Sequence, residues 1–396
     1  MKYIDELDLQ GKTVFIRSDL NVPFDEQGRV ADDNRIKASV PTIKHAVDAG
    51  AKVIVASHLG RPKGTGPEPE FSLKPVAAAL ESALGRPVKL APDCIGAEVQ
   101  QLASCLKAGE VLLLENLRFH KGEEKNDAQF TRELASLAQV YVNDAFATAH
   151  RAHASTAGVV EFIAVVAGGF TLKDELEYFR KAFANPQRPL VAVFGGAKVS
   201  TKLGAIRHTG ERADVVLVGG AMANTFFAAM GHGVGKSLYE PDLLQTAKET
   251  LEWFESSRSR LVLPTDVLIA PELKSGSPTK VVPIDAIPDD MMALDIGPAT
   301  IGSFSAEIQK AKTVLWNGPM GAFETAEFSG GTYAIVDALA NCNALTVVGG
   351  GDTDLALHRR HAYEKMSYVS TAGGAFLCLL EGSELPAVLA LERKAA

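Results

Sequence analysis

Short β-branched runs alternate with segments of helical spacing along the whole chain, the pattern that builds parallel sheets from strand–helix–strand units. In the first half it predicts strands over 13–17, 52–57, 111–114 and 140–143, with helices over 35–49, 73–84 and 128–138. Gly50 and Gly85 are placed to stop the first two helices. In the second half strands are expected over 190–194, 215–218, 261–263, 292–295, 313–316 and 345–348, so both halves read as α/β. Between them, 172–184 reads as one amphipathic helix with Leu172, Leu176, Phe179 and Phe183 on a common stripe, closed by Asn185-Pro186 and Pro189. This gives a first domain over 1–170, a connector over 171–189 and a second domain over 190–384. A short helix is expected over 385–396, and pattern alone does not fix where it goes.

Length supports the division, because 396 residues exceed the roughly 250–300 at which a single core stops growing. A composition of 46% hydrophobic and 22% charged residues is that of a globular chain and excludes disordered or collagen-like classes. The net charge of −8 is spread over both halves, which leaves no basic lobe and argues against bulk affinity for nucleic acid or anionic membrane. Cys94, Cys105, Cys342 and Cys378 form no CxxC pair or metal-ligand rhythm and read as reduced, mostly packed thiols of a cytoplasmic protein. Residues 1–10 lack the basic-then-apolar order of a signal peptide. The longest apolar stretch, 162–170, is under half of the roughly 20 residues a membrane span needs, and reads as core.

Ligands of open α/β sheets sit beyond the carboxyl ends of the strands, and there the two halves differ. The first half places Asp19 and Asn21, His58 and Arg61, Arg118 and His120, and His150 and Arg151 after successive strands, with Arg35 opening a helix. The second places glycines: Gly195-Gly196 with Lys198, Gly219-Gly220, Gly297, Gly318 and Gly321, Gly349-Gly350-Gly351 with Asp352, and Gly373-Gly374. Guanidinium forks bind carboxylate and phosphate oxygens bidentately, so the first set suits a small, highly anionic molecule. Glycine turns ahead of helix N-termini let backbone N–H groups approach phosphates, as a nucleotide requires.

Other signals carry less. Residues 230–237 imitate a phosphate loop, but Met230 stands where the first glycine is needed and a helical segment precedes it where a strand should be, so it reads as a helix end and loop. No Gly-x-Gly-x-x-Gly follows the first strand, and no serine lies in a Gly-x-Ser-x-Gly elbow. His150 and His153 lack a third metal ligand and suit a hydrogen-bonding role beside an anion. On residues alone two rivals stand, a nicotinamide-linked dehydrogenase and a non-catalytic two-lobed anion-binding protein.

Eight segments resemble the phosphoglycerate kinase family in order and spacing: Arg17-Ser18-Asp19-Leu20-Asn21-Val22-Pro23, Ser57-His58-Leu59-Gly60-Arg61-Pro62, Leu114-Glu115-Asn116-Leu117-Arg118-Phe119, Ala149-His150-Arg151-Ala152-His153-Ala154-Ser155, Phe194-Gly195-Gly196-Ala197-Lys198-Val199, Trp316-Asn317-Gly318-Pro319, Gly349-Gly350-Gly351-Asp352-Thr353 and Ser370-Thr371-Ala372-Gly373-Gly374-Ala375. The family usually has an aliphatic residue at Ser18 and glycine at Ala147 and Ala372, and a methyl group at Ala372 is expected to crowd a phosphate-facing loop. The resemblance implies reversible phosphoryl transfer between 1,3-bisphosphoglycerate and Mg-ADP by closure of two lobes. It implies that Asp19, Leu20, Asn21, Arg35, His58, Leu59, Gly60, Arg61, Arg118 and Arg151 hold the glycerate substrate. It implies that Gly196, Ala197, Lys202, Gly220, Gly297, Asn317, Pro319, Glu324, Gly350, Gly351, Asp352 and Thr353 surround the nucleotide, with Glu324 at the ribose and Asp352 on Mg2+. Arg35 and Lys198 are the candidates to grip the migrating group, and amides of Gly350, Gly373 and Gly374 to complete its cradle. Pattern and resemblance together predict two Rossmann-like three-layer domains with parallel sheets, a hinge helix, a cleft between the domains, and the C-terminal segment returning to the first. They further imply a cytoplasmic monomer acting on small molecules, without nucleic-acid or membrane partners.

Overall fold

The computed structural model describes residues 1–395. Its backbone forms two compact units, Met1–Leu176 with Glu384–Ala396, and Glu177–Ser383. The first is built on six strands, β1 (Thr13–Ser18), β2 (Lys52–Ala56), β3 (Val88–Leu90), β4 (Val111–Leu113), β5 (Val140–Asp144) and β6 (Val165–Gly168), in the order β3-β4-β2-β1-β5-β6. Every pairing is parallel. A parallel sheet covered on both faces needs strands that are apolar throughout. Val14, Ile16, Val53, Val55, Val140 and Val142 accordingly share one core with Ile43, Val47 and Leu80 from the covering helices Asn34–Asp48 and Lys74–Leu84. Gly85 ends the second of these helices in a left-handed conformation, φ 65°, that other residues adopt at a cost.

After β6 the chain enters the helix Phe170–Phe179, which a π-helical turn at Arg180–Ala184 extends. The helix expected over 172–184 is thus present with one wide turn, and Leu172, Leu176 and Phe183 are buried on its stripe. The stretch 162–170 is only partly core, since Phe162 and Val165 are exposed and its middle forms the edge strand β6. The C-terminal helix Pro386–Ala395 belongs to the first unit. There Ala387 N donates to Ala149 O at 3.1 Å and Leu391 is buried.

The second unit contains β7 (Leu190–Phe194), β8 (Val215–Val218), β9 (Arg260–Val262), β10 (Asp266–Ala270), β11 (Lys280–Pro283), β12 (Met292–Ile296), β13 (Thr313–Asn317), β14 (Leu345–Gly349) and β15 (Tyr368–Val369). Six of them form a parallel sheet in the order β15-β14-β13-β7-β8-β9. The strand expected over 292–295 lies elsewhere, in an antiparallel sheet β11-β10-β12. Its alternation of half-buried and buried positions is that of a strand with one covered face, and it departs from the all-parallel expectation. The thiols also differ from expectation: Cys94 is buried, Cys342 and Cys378 are half-buried, and Cys105 is exposed, at the C-terminal cap of the helix Ala97–Ser104. No helix among the described residues is long and apolar enough to cross a membrane.

Candidate active site

Because β4, β2, β1 and β5 are neighbours, their following loops emerge side by side at the carboxyl edge of the first sheet. Backbone and amide groups lock these loops together. Asn21 Oδ1 accepts from Gly60 N at 2.8 Å, and Ser57 Oγ accepts from Leu20 N at 2.9 Å. Asn116 accepts from Leu59 N through Oδ1 at 3.2 Å and donates to Leu59 O through Nδ2 at 2.7 Å. Gly60 has φ +59°, and a Cβ there would stand 2.4 Å from the Phe71 ring, so glycine is required on two counts.

Onto this frame the cations converge. Arg118 is buried, and its Nη1 donates to Gly60 O at 2.8 Å while Nε faces Glu124 at 3.1 Å. Arg35 is one-third exposed; its Nη1 lies 2.9 Å from Asp19 and donates to Asn21 O at 3.1 Å. His58 is buried, and burial, followed by the charges of Arg17, Arg118, Arg35 and Arg151, holds its imidazole well below the usual histidine range. Neutral His58 has one acceptor nitrogen, and Arg17 Nη2, which can only donate, faces Nδ1 at 3.3 Å. The ring proton is therefore assigned to Nε2. Arg61 and Arg151 are exposed, Arg151 with Nε donating to His150 Nε2 at 3.2 Å.

Beneath them runs a layer built from Arg17, Ser155 and His153 of the motif segments and from Glu123, which no motif contains. Arg17 is fully buried, and its Nε donates to Ser155 Oγ at 2.8 Å. Ser155 Oγ in turn donates to Glu123 Oε1 at 2.6 Å, and Ser155 N donates to Glu123 Oε2 at 3.0 Å. Burial raises the Glu123 carboxyl, while Arg17 pulls it down. His153 lies 3.8 Å from Glu123 and is brought down to about 4 by burial and then by Arg118, Arg17 and Arg151. The signal for this layer is a guanidinium inside β1, otherwise an apolar strand, and it needs a partner 138 positions away to be interpreted.

In the second unit the loops after β15, β14, β13, β7 and β8 are again consecutive at one edge. Gly196 N donates to Pro319 O at 2.8 Å and Gly220 N to Met320 O at 3.0 Å. A Cβ at Gly220, where φ is +68°, would lie 2.5 Å from Gly196 N. Lys202 ties the loops through Nζ, which donates to Gly195 O at 2.7 Å and Asn317 O at 3.2 Å. Burial lowers its ammonium to about 8 against the opposing pull of Asp352. Asn317 Nδ2 donates to Gly349 O at 2.8 Å, and Thr353 Oγ1 donates to the carbonyls of Gly349 and Gly350 at 2.7 Å.

Two helix N-termini meet at this edge. The helices Gly351–Arg359 and Gly373–Leu380 both lack a side-chain cap, and a Cβ on Gly373 would be 3.5 Å from Gly350 Cα. Uncapped first-turn amides form an anion site. Gly351, Asp352, Gly373 and Gly374 are exposed there, as are Ala197 and Lys198 in the β7 loop and Glu324 after β13. Gly297 differs: the Asp266 carboxylate accepts from Ala299 N and Thr300 N at 3.0 and 2.8 Å, so the amides of the helix Pro298–Lys310 are already engaged. Ala372 has φ −129°, which any residue adopts, and is buried, so alanine sits there without backbone strain.

Comparison with known proteins gives one answer. The sequence model described as phosphoglycerate kinase matches residues 4–383. A phosphoglycerate kinase of Geobacter metallireducens is 53% identical over 393 residues, covering 99% of this chain and 98% of that protein. The cytosolic phosphoglycerate kinase of Triticum aestivum is 51% identical, covering 98% and 97%. The solved phosphoglycerate kinase structure from Coxiella burnetii superposes with a TM-score of 0.91 at 42% identity, covering 100% of this chain and 99% of that one. With sequence, fold and nearly full coverage in agreement, the chain belongs to the phosphoglycerate kinase family.

Proposed function

We propose that the reversible transfer between 1,3-bisphosphoglycerate and ADP is divided between the two carboxyl edges: the arginine edge holds the glycerate substrate and the glycine edge holds the nucleotide. The observation that carries this reading is the convergence of guanidinium groups on the loops around buried His58: Arg17 Nη2 lies 3.3 Å from its ring, Arg118 Nη1 donates to Gly60 O and Arg35 Nη1 to Asn21 O. That much like charge near a buried group is costly unless a polyanion joins it. Asp19, Asn21, His58 Nε2–H, Arg61, Arg118 and Arg151 then orient the substrate's hydroxyl, carboxyl and phosphate oxygens, with Leu20, Leu59 and Gly60 shaping the wall.

On the nucleotide side, Gly196, Ala197, Gly220, Gly297, Asn317, Pro319 and Glu324 line the base and sugar. Lys202, Gly350, Gly351 and Thr353 support the phosphates. Phosphoryl transfer passes through a loose transition state whose charge lies on the equatorial oxygens, so positioned cations and amides suffice and no protein nucleophile is needed. Arg35 and Lys198 supply the cations, and the amides around Gly350, Gly373 and Gly374 supply the cradle. Mg2+ takes few protein ligands and keeps phosphates and waters. The exposed carboxylate of Asp352, at the open helix terminus, fits that requirement and would hold the ion, which neutralises phosphate charge when bound. Donor and acceptor oxygens must come into line, so the two half-sites have to meet during turnover, with the helix Phe170–Phe179 as connector. We place the enzyme in the cytoplasm as a monomer, consistent with four free cysteines.

Two exposed residues separate the half-sites cleanly. Arg61→Ala is expected to weaken 3-phosphoglycerate binding in calorimetry and leave Mg-ADP binding alone, and Asp352→Ala to do the reverse. If each variant weakens both ligands, or neither, the division of labour is wrong.

A further inference from the structure

Further along the same carboxyl edge, three metal-ligating side chains from two loops of the first unit converge, none of them among the residues assigned to substrate. Asp93 and Cys94 follow β3, and His120 follows Arg118 after β4. One ligand atom from each lies within 4.8 Å of the other two. His120 Nε2 is 2.7 Å from Asp93 Oδ1, and the same oxygen accepts from Cys94 N at 2.6 Å. Cys94 is fully buried, and its sulfur lies within 4.8 Å of the Asp93 carboxylate and the His120 imidazole together. Asp93 and His120 are each about one-third exposed. His120 lines an open pocket of about 560 Å3 with Thr65, Gly66, Lys121 and Phe130, which provides a path from solvent.

We propose that Asp93, Cys94 and His120 form a site for a thiophilic divalent cation of the zinc class, separate from the magnesium of the reaction. Sulfur and imidazole donors select zinc-like ions over magnesium, which prefers oxygen alone. Three protein ligands leave a fourth position for water from the pocket. Tetrahedral zinc needs its ligand atoms roughly 3.3 to 3.6 Å apart. The imidazole and carboxylate must therefore part by somewhat under 1 Å and the sulfur must close by about 1.2 to 1.5 Å at most, shifts within reach of side-chain rotation. On binding, Zn–S, Zn–N and Zn–O bonds replace three zinc–water bonds, and the thiol S–H bond breaks with its proton released to solvent. The Nε2 proton that His120 shares with Asp93 in the free site is also given up to solvent, the bound imidazole keeping or taking its one proton on Nδ1, and no electrons are exchanged. The ion would staple the loop after β3 to the segment that follows Arg118. The Phe130 ring, 5.4 Å from the His120 ring, backs the imidazole.

Cobalt provides the test, because a thiolate bound to Co2+ gives a near-ultraviolet charge-transfer band and tetrahedral coordination gives intense visible bands. Nucleotide-free wild-type enzyme titrated with Co2+ is expected to develop both at one equivalent, with Zn2+ displacing the cobalt and raising the melting temperature. The band should survive replacement of Cys105, Cys342 and Cys378 by serine. It should vanish in Cys94→Ser and lose its tetrahedral intensity in His120→Gln, a variant at the exposed rim that keeps the core thiol in place. Absence of the band in wild type at saturating cobalt overturns the proposal. So does a band unchanged in His120→Gln, or one that persists in Cys94→Ser.

Discussion

Arg35→Ala tests the proposed transition-state contact most directly, because its structural and chemical costs separate. The side chain is one-third exposed, and its contacts are the ion pair to Asp19 at 2.9 Å and the bond to Asn21 O at 3.1 Å. Exposed pairs contribute up to about 1 kcal/mol. Asp19 is mostly buried and would lose its cation, which raises the cost to about 1–2 kcal/mol. Against a typical total of about 5–15 kcal/mol the variant stays folded. The chemical cost is larger. One unit charge about 4 Å from a migrating phosphoryl oxygen, at an effective dielectric near 20, is worth about 4 kcal/mol, or roughly a thousandfold in rate. Turnover of ATP with 3-phosphoglycerate, followed by ADP formation with the acyl phosphate drained by a coupling enzyme, should fall by about that factor. The dissociation constant for Mg-ADP should stay near wild type, and the denaturation midpoint should move little. Arg35→Lys keeps the charge without the fork and should fall between. A folded Arg35→Ala enzyme within tenfold of wild-type turnover would remove this residue from the transition state.

Three further outcomes follow from single residues. Gly220→Ala places a Cβ 2.5 Å from Gly196 N in a left-handed conformation, so it should cost about 2–4 kcal/mol and weaken ADP binding at least tenfold, with 3-phosphoglycerate binding unchanged; unaltered ADP affinity would show that the two loops do not form one surface. His153, lowered to about 4 by burial and nearby arginines, binds its proton more readily unfolded than folded. Stability is therefore retained above pH 6.5 and lost as pH falls towards 4, by on the order of 3 kcal/mol, and a urea-midpoint profile that keeps its full slope in His153→Gln would sink this assignment. Ala372→Gly removes a buried methyl group from an ordinary β conformation and should cost about 1 kcal/mol with turnover within twofold of wild type, whereas a larger gain would mean that the methyl group does obstruct the phosphates.

How much of this was legible in the chain depends on whether a residue's task is local. Strands such as β7 and β8 were readable to the residue because a buried parallel strand must be apolar throughout and a glycine marks its end. The edge strands β3 and β15, three and two residues long, carry too few positions for any period to show. The antiparallel β11 is mostly exposed and has only two apolar residues in a row, and the apolar run of β10, Val267 to Ala270, is four residues long and lies close before Pro271 and a polar loop, too short to separate from a turn. The same distinction governs the site. Arg35, Arg118 and the glycines of 349–351 announce themselves because anion binding needs their chemical type wherever they fall. Asp266 does not, since capping the amides behind Gly297 is recognisable only once β10 lies beside that helix.

Arg17 is the sharper case. In sequence it is one charge at the end of an apolar strand; in the fold it is a buried cation whose cost is met by Ser155, Glu123 and His58, brought from three other loops. A lone buried charge is prohibitive and a bonded one tolerable, so this group requires every loop of the edge to be in place at once. The surface arginines that would touch substrate can be exchanged without unfolding the chain. Truncating Arg17 leaves Glu123 buried beside a serine and without its cation. The residues that make the arginine edge rigid enough to hold a polyanion are therefore those whose purpose can be read only after the loops have met.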